Sequence, residues 1–180
     1  MTFALVYATQ RVHVDRTIVL WGIIIASAIE LAAIPLYGAL TDRIGRRPVY
    51  LFGAISTAVL AYPLFWALDS GSTSLIWIGL LLSLVMGHSA MYAPQGAFFS
   101  ELFGTRVRYS GASLGVQLSS VLAGGLSPII ATEMLRRGYG RGALSLYLIG
   151  MAVITIISVV AATETMHHSI ENEKNEDVRQ

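Results

Sequence analysis

Two ionisable side chains stand near the middle of long apolar stretches of this sequence. Glu30 lies within the run from Ile18 to Leu40, and His88 lies within the run from Ser74 to Phe99. A carboxyl group in apolar surroundings must be protonated, paired or in contact with water, and an imidazole changes charge near neutral pH. These properties suit proton transfer or contact with a solute. The alternative for both residues is packing, with each side chain hydrogen-bonded to a neighbouring helix.

Three further polar side chains join this set. Tyr92 and Gln95 follow His88 at spacings of four and seven residues, which places all three on one face of a helix. Gln117, in a later apolar run, is a candidate hydrogen-bond partner for a solute, although packing explains it more simply. The candidates for proton coupling or substrate binding are therefore Glu30, His88, Tyr92, Gln95 and Gln117.

A short charged segment separates the first two apolar runs. It reads Gly38-Ala39-Leu40-Thr41-Asp42-Arg43-Ile44-Gly45-Arg46-Arg47-Pro48. Its glycines permit close approach and a tight turn, so we predict a loop here. We expect Asp42 to accept hydrogen bonds from the free N–H groups that begin the fourth apolar run, near Ser110 and Gly111, and to form an ion pair with Arg108.

A carboxylate further along the chain extends this loop into a charge network. We expect Glu101 to pair with Arg46 or Arg47. The predicted charge network comprises Gly38, Asp42, Arg43, Gly45, Arg46, Arg47, Glu101 and Arg108. The alternative is that the arginines only anchor the loop to anionic lipid head groups.

Small residues recur at every fourth position of the fourth apolar run. They are Gly111, Gly115, Ser119, Ala123, Ser127 and Ala131. On a helix this spacing predicts a shallow packing groove, most clearly at the first four positions, into which another helix backbone fits closely. Two uses remain open, namely packing within this bundle and a sliding interface with a further half of the protein.

The composition places the chain in a bilayer. Of its 180 residues 54% are hydrophobic and 13% charged, and the mean hydropathy is +0.64. A net charge of +1 argues against a nucleic-acid partner, and the absence of cysteine excludes disulfides and thiolate chemistry. We find no constellation of an enzyme, no metal-binding pair of histidines within a span and no phosphate-binding loop. We therefore predict neither catalysis nor a bound metal.

Five apolar runs are long enough to cross a hydrocarbon core about 30 Å thick as helices. They cover approximately 18–40, 48–68, 74–99, 111–135 and 143–163. The predicted fold is thus an all-α membrane protein of five transmembrane helices. The apolar stretch from Phe3 to Ala8 is too short to cross and is interpreted as the end of a helix whose body is missing. Residues 167–180 are polar and are predicted to be a disordered tail.

The charged segment G-x-L-x-D-R-x-G-R-R resembles the signature loop of major facilitator superfamily transporters, which lies between the second and third helices of each six-helix half, on the cytoplasmic side. The stretch from Ala93 to Gly111 is similar to helix ten, its following loop and the start of helix eleven in the metabolite:proton symporter branch. That branch includes carriers of shikimate, 2-oxoglutarate, citrate and proline/betaine. Thr2 to Arg16 is similar to the end of its seventh helix. The five spans then correspond to helices eight to twelve.

On this resemblance, residues 1–166 are a partial C-terminal half of a transporter. It implies transport of a small organic acid or zwitterion by alternating access, driven by the proton gradient without a cofactor. It implies the lipid bilayer and an N-terminal half as partners, and a gating network that holds the outward-open state. The alternative is a non-transporting membrane fragment or an accessory protein from a truncated reading frame.

The orientation rests mainly on the signature loop. Seven Lys and Arg residues fall on its side of the membrane, namely Arg43, Arg46, Arg47, Arg106, Arg108, Lys174 and Arg179. Five fall on the opposite side, namely Arg11, Arg16, Arg136, Arg137 and Arg141. This bias, together with the loop, predicts a multi-pass protein of the inner membrane with a cytoplasmic C-terminus.

Overall fold

A computed structural model describes residues 2–101 and 108–162 of the chain. The helices are α1 Thr2–Gln10, α2 Arg16–Ile44, α3 Arg46–Asp69, α4 Thr73–Leu82, α5 Ser89–Glu101, α6 Arg108–Ser119, α7 Leu126–Arg136 and α8 Arg141–Ala161. The π-helical turn Ser83–His88 joins α4 to α5, and the π-helical turn Ser120–Gly125 joins α6 to α7. The predicted tail, 167–180, lies outside the described residues.

Four helical segments of this part of the chain are long and apolar enough to cross a membrane. They are Arg16–Ile44, Arg46–Asp69, Thr73–Glu101 and Arg141–Ala161. Even the shortest, with 21 residues, extends about 30 Å at roughly 1.5 Å per residue, the thickness of a hydrocarbon core. These segments coincide with four of the five predicted spans, and the fold is an all-helical, multi-pass membrane fold.

The remaining predicted span, 111–135, is also helical. Helix α6, the second π-helical turn and α7 follow one another without a break from Arg108 to Arg136. This stretch is not among the four segments that meet the length and hydropathy requirements. The count of five transmembrane helices and their numbering therefore stay a prediction.

The charged segment predicted as a loop is almost entirely helical. Helix α2 continues to Ile44 and α3 begins at Arg46, so a single residue, Gly45, separates them. Gly45 has φ 101°, where a side chain is strained, and its N–H donates to the carbonyl of Thr41 at 3.0 Å. The expectation of a loop across Gly38–Pro48 is therefore wrong, because one glycine suffices to turn the chain and charged side chains at a helix end need no break in the backbone.

The buried core surrounds α3. This helix packs along α8 and against the α4–α5 span, while α2 packs against α4 and α5. Short α1 also enters the core, where Tyr7 is 1% exposed and meets the ring of Phe65 edge-on at 4.9 Å. Although α1 is too short to cross a bilayer, its burial makes it a structural part of the bundle.

Helix α3 and the first π-helical turn touch through their backbones. A Cβ atom on Gly53 would lie 2.7 Å from Cγ of Met91 and 2.9 Å from the carbonyl oxygen of Gly87. A Cβ atom on Gly87 would in turn lie 2.7 Å from Oγ1 of Thr57. Only glycine allows this approach. The close packing holds the turn, with His88 at its end, against α3.

Asp15 caps the first long helix. Its carboxylate accepts a hydrogen bond of 2.8 Å from the N–H of Thr17 at the start of α2. Hydrogen bonds from Thr17 lower the pKa of the Asp15 carboxyl group from its usual value. The acid thus stays ionised where the helix dipole favours negative charge.

Candidate functional site

Glu30 and His88 are in contact across the bundle. Nδ1 of His88 lies 2.5 Å from Oε1 of Glu30, which joins α2 to the end of the first π-helical turn. The Glu30 side chain is 11% exposed, whereas that of His88 is 55% exposed. The two groups share a hydrogen bond whichever group carries the proton, and they form an ion pair when the ring is protonated. A carboxylate and an imidazole in this arrangement can bind and release one proton within a membrane span.

The π-helical turn determines where the ring and its neighbour point. Within it, the N–H of Ser89 donates to the carbonyl of Leu84, five residues earlier instead of the usual four. The Ser89 side chain is fully buried, and its Oγ lies 3.2 Å from Oε1 of Glu30. The wider turn thus presents His88 and Ser89, two consecutive residues, to one carboxyl group.

The other candidates from the sequence fall at different distances from this pair. The Tyr92 ring stacks on that of His88, with centroids 5.5 Å apart and an interplanar angle of 17°. Gln95 is half-buried one turn further along α5, and Gln117 lies exposed on α6. The structure therefore brings together Glu30, His88 and Tyr92, and adds Ser89, which was not among the candidates from the sequence.

A cavity of about 200 Å³ opens beside the His88 ring. Its walls come from α1, α3, the π-helical turn, α5 and α8, and its polar side chains are those of Thr57, Ser83 and His88. The other lining residues are Ala4, Ala61, Leu64, Phe65, Met91 and Leu148. A mostly apolar cavity with a few convergent polar groups has the character of a small-molecule site or an access path.

Arg46 is the centre of the charged group at the junction of α2 and α3. Its guanidinium lies 2.6 Å from the carboxylate of Asp42 and 3.6 Å from that of Glu101. The contact with Glu101 is one of the two pairings expected from the sequence. The contact with Asp42 was not expected, and the proposed partner of Asp42, the Arg108 side chain, lies outside the described side chains. Arg43 is exposed.

Arg47 has a different role from its neighbour. It donates a hydrogen bond of 2.5 Å to the backbone carbonyl of Val160, near the end of α8. Cations bind favourably at the carbonyl end of a helix, so this contact fastens the start of α3 to the end of α8. A pairing of Arg47 with Glu101 stays a prediction.

The opposite end of the bundle holds a second polar cluster, which the sequence analysis missed. Asp69, the last residue of α3, accepts a hydrogen bond of 2.6 Å from the Tyr7 hydroxyl and lies 3.2 Å from the Arg141 guanidinium. That guanidinium also lies 5.7 Å from the centre of the Tyr62 ring. These residues stand near helix ends, where polar residues are ordinary, so their spacing carried no signal.

The predicted groove of small residues lies on the surface. Gly115 is exposed, with open space around the position of a Cβ atom, and Ser119 is exposed with its hydroxyl bonded to the carbonyl of Gly115 at 2.7 Å. Gly111 is half-buried, and the side chain of Ala123 is not described. Among the described residues, no other helix packs against Gly115 and Ser119.

Comparison with known proteins finds relatives that are named as transport proteins. It is 37% identical over 174 residues to the inner membrane metabolite transport protein YhjE of Escherichia coli, covering 94% of this chain and 38% of that protein. It is 31% identical over 159 residues to the shikimate transporter of Escherichia coli, covering 88% of this chain and 36% of that transporter. It is 29% identical over 173 residues to the proline/betaine transporter of that organism, covering 94% of this chain and 34% of that transporter.

The chain thus spans little more than a third of the length of these relatives. No solved structure matches it. The relatives are transporters and not enzymes, as the sequence predicted, and they agree with the predicted metabolite:proton symporter branch. The sequence profile of the Major Facilitator Superfamily matches residues 1–179. The chain therefore belongs to this superfamily, as the residues from Gly38 to Pro48 had indicated.

Proposed function

We propose that this chain forms part of the C-terminal half of a proton-coupled symporter for a small organic acid or zwitterion. Its spans act as helices eight to twelve of the transporter, in the inner membrane and with the C-terminus in the cytoplasm. The other half is a partner that completes the substrate site, since transporters of this kind work by rocking two halves about a site near the bilayer midplane. The relatives, which carry metabolites, shikimate or proline and betaine, support this substrate class.

The contact between Glu30 and His88 is the observation that carries the proposal of proton coupling. An ionisable pair within a membrane span is costly unless its members hydrogen-bond each other, and such pairs mark proton or substrate pathways. The His88 side chain lines the cavity and is 55% exposed, while Glu30 is nearly buried. A proton that enters at the exposed ring can thus reach the buried carboxylate in one transfer.

Arg46 supplies a second functional element. It bridges Asp42 at the end of α2 and Glu101 at the end of α5, two helices that separate on the cytoplasmic side if the half-domain rearranges. We assign this group to the closed cytoplasmic gate. The Asp42 side chain is 69% exposed, so its pair with Arg46 contributes about 0–1 kcal/mol, an amount that allows this contact to open and close readily.

The experiment uses a chimera in which this chain replaces the segment it matches in the Escherichia coli shikimate transporter. The chimera is reconstituted in vesicles with an imposed proton gradient, and uptake of labelled shikimate is measured. We expect saturable accumulation that disappears when a protonophore collapses the gradient. Vesicles with the shikimate transporter lacking that segment provide the control.

The chimera also tests the alternative of a non-transporting membrane fragment. A chimera that reaches the membrane in normal amounts but takes up no shikimate, proline or glycine betaine would favour that alternative. Uptake that is unaffected by the protonophore would retain transport and reject proton coupling.

A further inference from the structure

The hydroxyl group of Ser89 has two acceptors within reach. Its Oγ lies 3.0 Å from the carbonyl oxygen of Leu84, inside the π-helical turn, and 3.2 Å from Oε1 of Glu30 on α2. A serine hydroxyl carries a single proton, so it donates a full hydrogen bond to one of these oxygens at a time. The Ser89 side chain is fully buried, so its hydroxyl remains beside these two acceptors.

The charge of Glu30 decides between the two acceptors. A hydrogen bond to an ionised carboxylate is roughly twice as strong as one between neutral groups. When Glu30 is ionised, Oε1 therefore attracts the Ser89 proton away from the Leu84 carbonyl. When Glu30 carries a proton, Oε1 is a weaker acceptor and the hydroxyl returns to the carbonyl. The change needs only a rotation about one bond of Ser89.

We propose that Ser89 is a positioning residue that links the protonation of Glu30 to the hydrogen bonding of the π-helical turn. The Leu84 carbonyl also accepts the N–H of Ser89, so the hydroxyl adds or removes a second bond at the oxygen that closes this wide turn. π-Helical turns are rare and frequently lie at functional sites. This inference rests on the proposed role of Glu30 in binding the coupled proton.

The surroundings leave few other groups that change charge near this switch. Among the described residues, Glu30 faces His88, whose ring stacks on Tyr92. Helix α3 contributes uncharged side chains at this level, such as Thr57 and Ala61, and has its charged residues at its two ends. On α1 the titratable group is Tyr7, whose hydroxyl donates to Asp69. Helix α8 carries Arg141, which also contacts Asp69, and Tyr147.

The sequence offers a selective probe of the Leu84 carbonyl. Leucine precedes valine at two places in the chain, Leu5–Val6 and Leu84–Val85. Chain labelled with ¹³C-carbonyl leucine and ¹⁵N valine therefore gives two selected carbonyl signals in a solid-state NMR experiment on the protein in lipid vesicles. Leu5 is a built-in reference, because its carbonyl also accepts a hydroxyl, that of Thr9 at 2.8 Å, away from Glu30.

We expect the Leu84 carbonyl signal to move with pH while the Leu5 signal stays constant. Ser89→Ala and Glu30→Gln should each abolish the movement, the first by removing the donor and the second by removing the charge. Ser145→Ala is the matched control, since Ser145 is equally buried and also bonds backbone carbonyls, those of Arg141 and Ala61, but contacts no acid. A stationary Leu84 signal in the wild type, or movement that persists in Ser89→Ala, would overturn the proposal.

The outcome is separable from that of the transport experiment with the chimera. The NMR measurement requires no substrate. A Leu84 signal that moves with pH, together with a chimera that reaches the membrane but does not transport, would reject the proposed function and keep the link through Ser89. Coupled transport with a Leu84 signal that ignores pH would reject the link alone. A Ser89→Thr variant, which retains the hydroxyl, should restore the movement and thereby separates the hydroxyl from general packing.

Discussion

The hydroxyl of Tyr7 donates a hydrogen bond of 2.6 Å to the carboxylate of Asp69, 62 residues further along the chain. Asp69 in turn contacts the guanidinium of Arg141 at 3.2 Å, so one carboxylate joins α1, α3 and α8 at the end opposite the charged turn. Tyr7 is 1% exposed. The short first helix is therefore held in place by a specific polar contact as well as by apolar packing.

Tyr7→Phe should destabilise the bundle by about 1–3 kcal/mol, because it removes a hydrogen bond to a charged group and keeps the ring contact with Phe65. Thermal unfolding in detergent, followed by circular dichroism, measures the effect. Tyr109→Phe is the matched control, since Tyr109 is 85% exposed. Equal unfolding temperatures for both variants would show that the contact between Tyr7 and Asp69 contributes nothing to stability.

Asp42→Asn should lower the transport rate of the chimera at least several-fold and leave the amount of protein in the membrane almost unchanged. The Asp42 side chain is 69% exposed, so its contact with Arg46 contributes less than about 1 kcal/mol to the stability of the resting fold. A gate needs that contact only in one of its states. Uptake equal to that of the wild type, at equal expression, would reduce Asp42 to a surface residue.

Glu30→Gln and His88→Gln should separate exchange from accumulation. Each variant retains a hydrogen-bonding side chain of similar size, so substrate binding and exchange across the vesicle membrane can continue, whereas proton-driven accumulation is lost. Counterflow and gradient-driven uptake are measured on the same vesicles. If both variants accumulate substrate against a gradient like the wild type, the pair between α2 and the π-helical turn is only a packing contact.

Gly53→Ala should destabilise the bundle by about 1–3 kcal/mol, because the new methyl group overlaps Met91 and the backbone of Gly87. Gly96→Ala provides the control: Gly96 is also helical but has open space around it, and alanine is the better helix former. Unfolding temperatures of the two variants give the comparison. Similar values would mean that α3 moves away from the π-helical turn at little cost.

Sequence reasoning located four of the five predicted spans, because each needs only a long apolar run, while the span at 111–135 stays a prediction. The glycines and charges of Gly38–Pro48 predict a loop, whereas the structure has two helices separated by Gly45 alone. Helix ends in the polar region carry charge without unwinding, so composition alone does not locate the break.

The site was less accessible to prediction than the spans. Glu30 and His88 stood out singly as ionisable residues in apolar runs, but their contact depends on how α2 packs against the α4–α5 span. Ser89 has no distinctive sequence context, and its role emerges only from the π-helical turn, which one extra residue per turn creates. Contacts between residues far apart in sequence, such as that of Tyr7 with Asp69, require the packed structure.

The 180-residue chain by itself should not transport. It spans little more than a third of the length of its relatives, and alternating access needs two halves around a shared site. Helix α6 presents Gly115 and Ser119 on an exposed face, where lipid packs less well than another helix backbone, so we expect the isolated chain to self-associate or to be degraded.

Purified chain in vesicles with an imposed proton gradient should show no saturable uptake of shikimate, proline or glycine betaine above that of empty vesicles. The chimera provides the positive control on the same day and in the same lipid. Saturable uptake by the isolated chain would contradict this expectation and make a self-assembled dimer, with two copies around one cavity, the better description of the transporter.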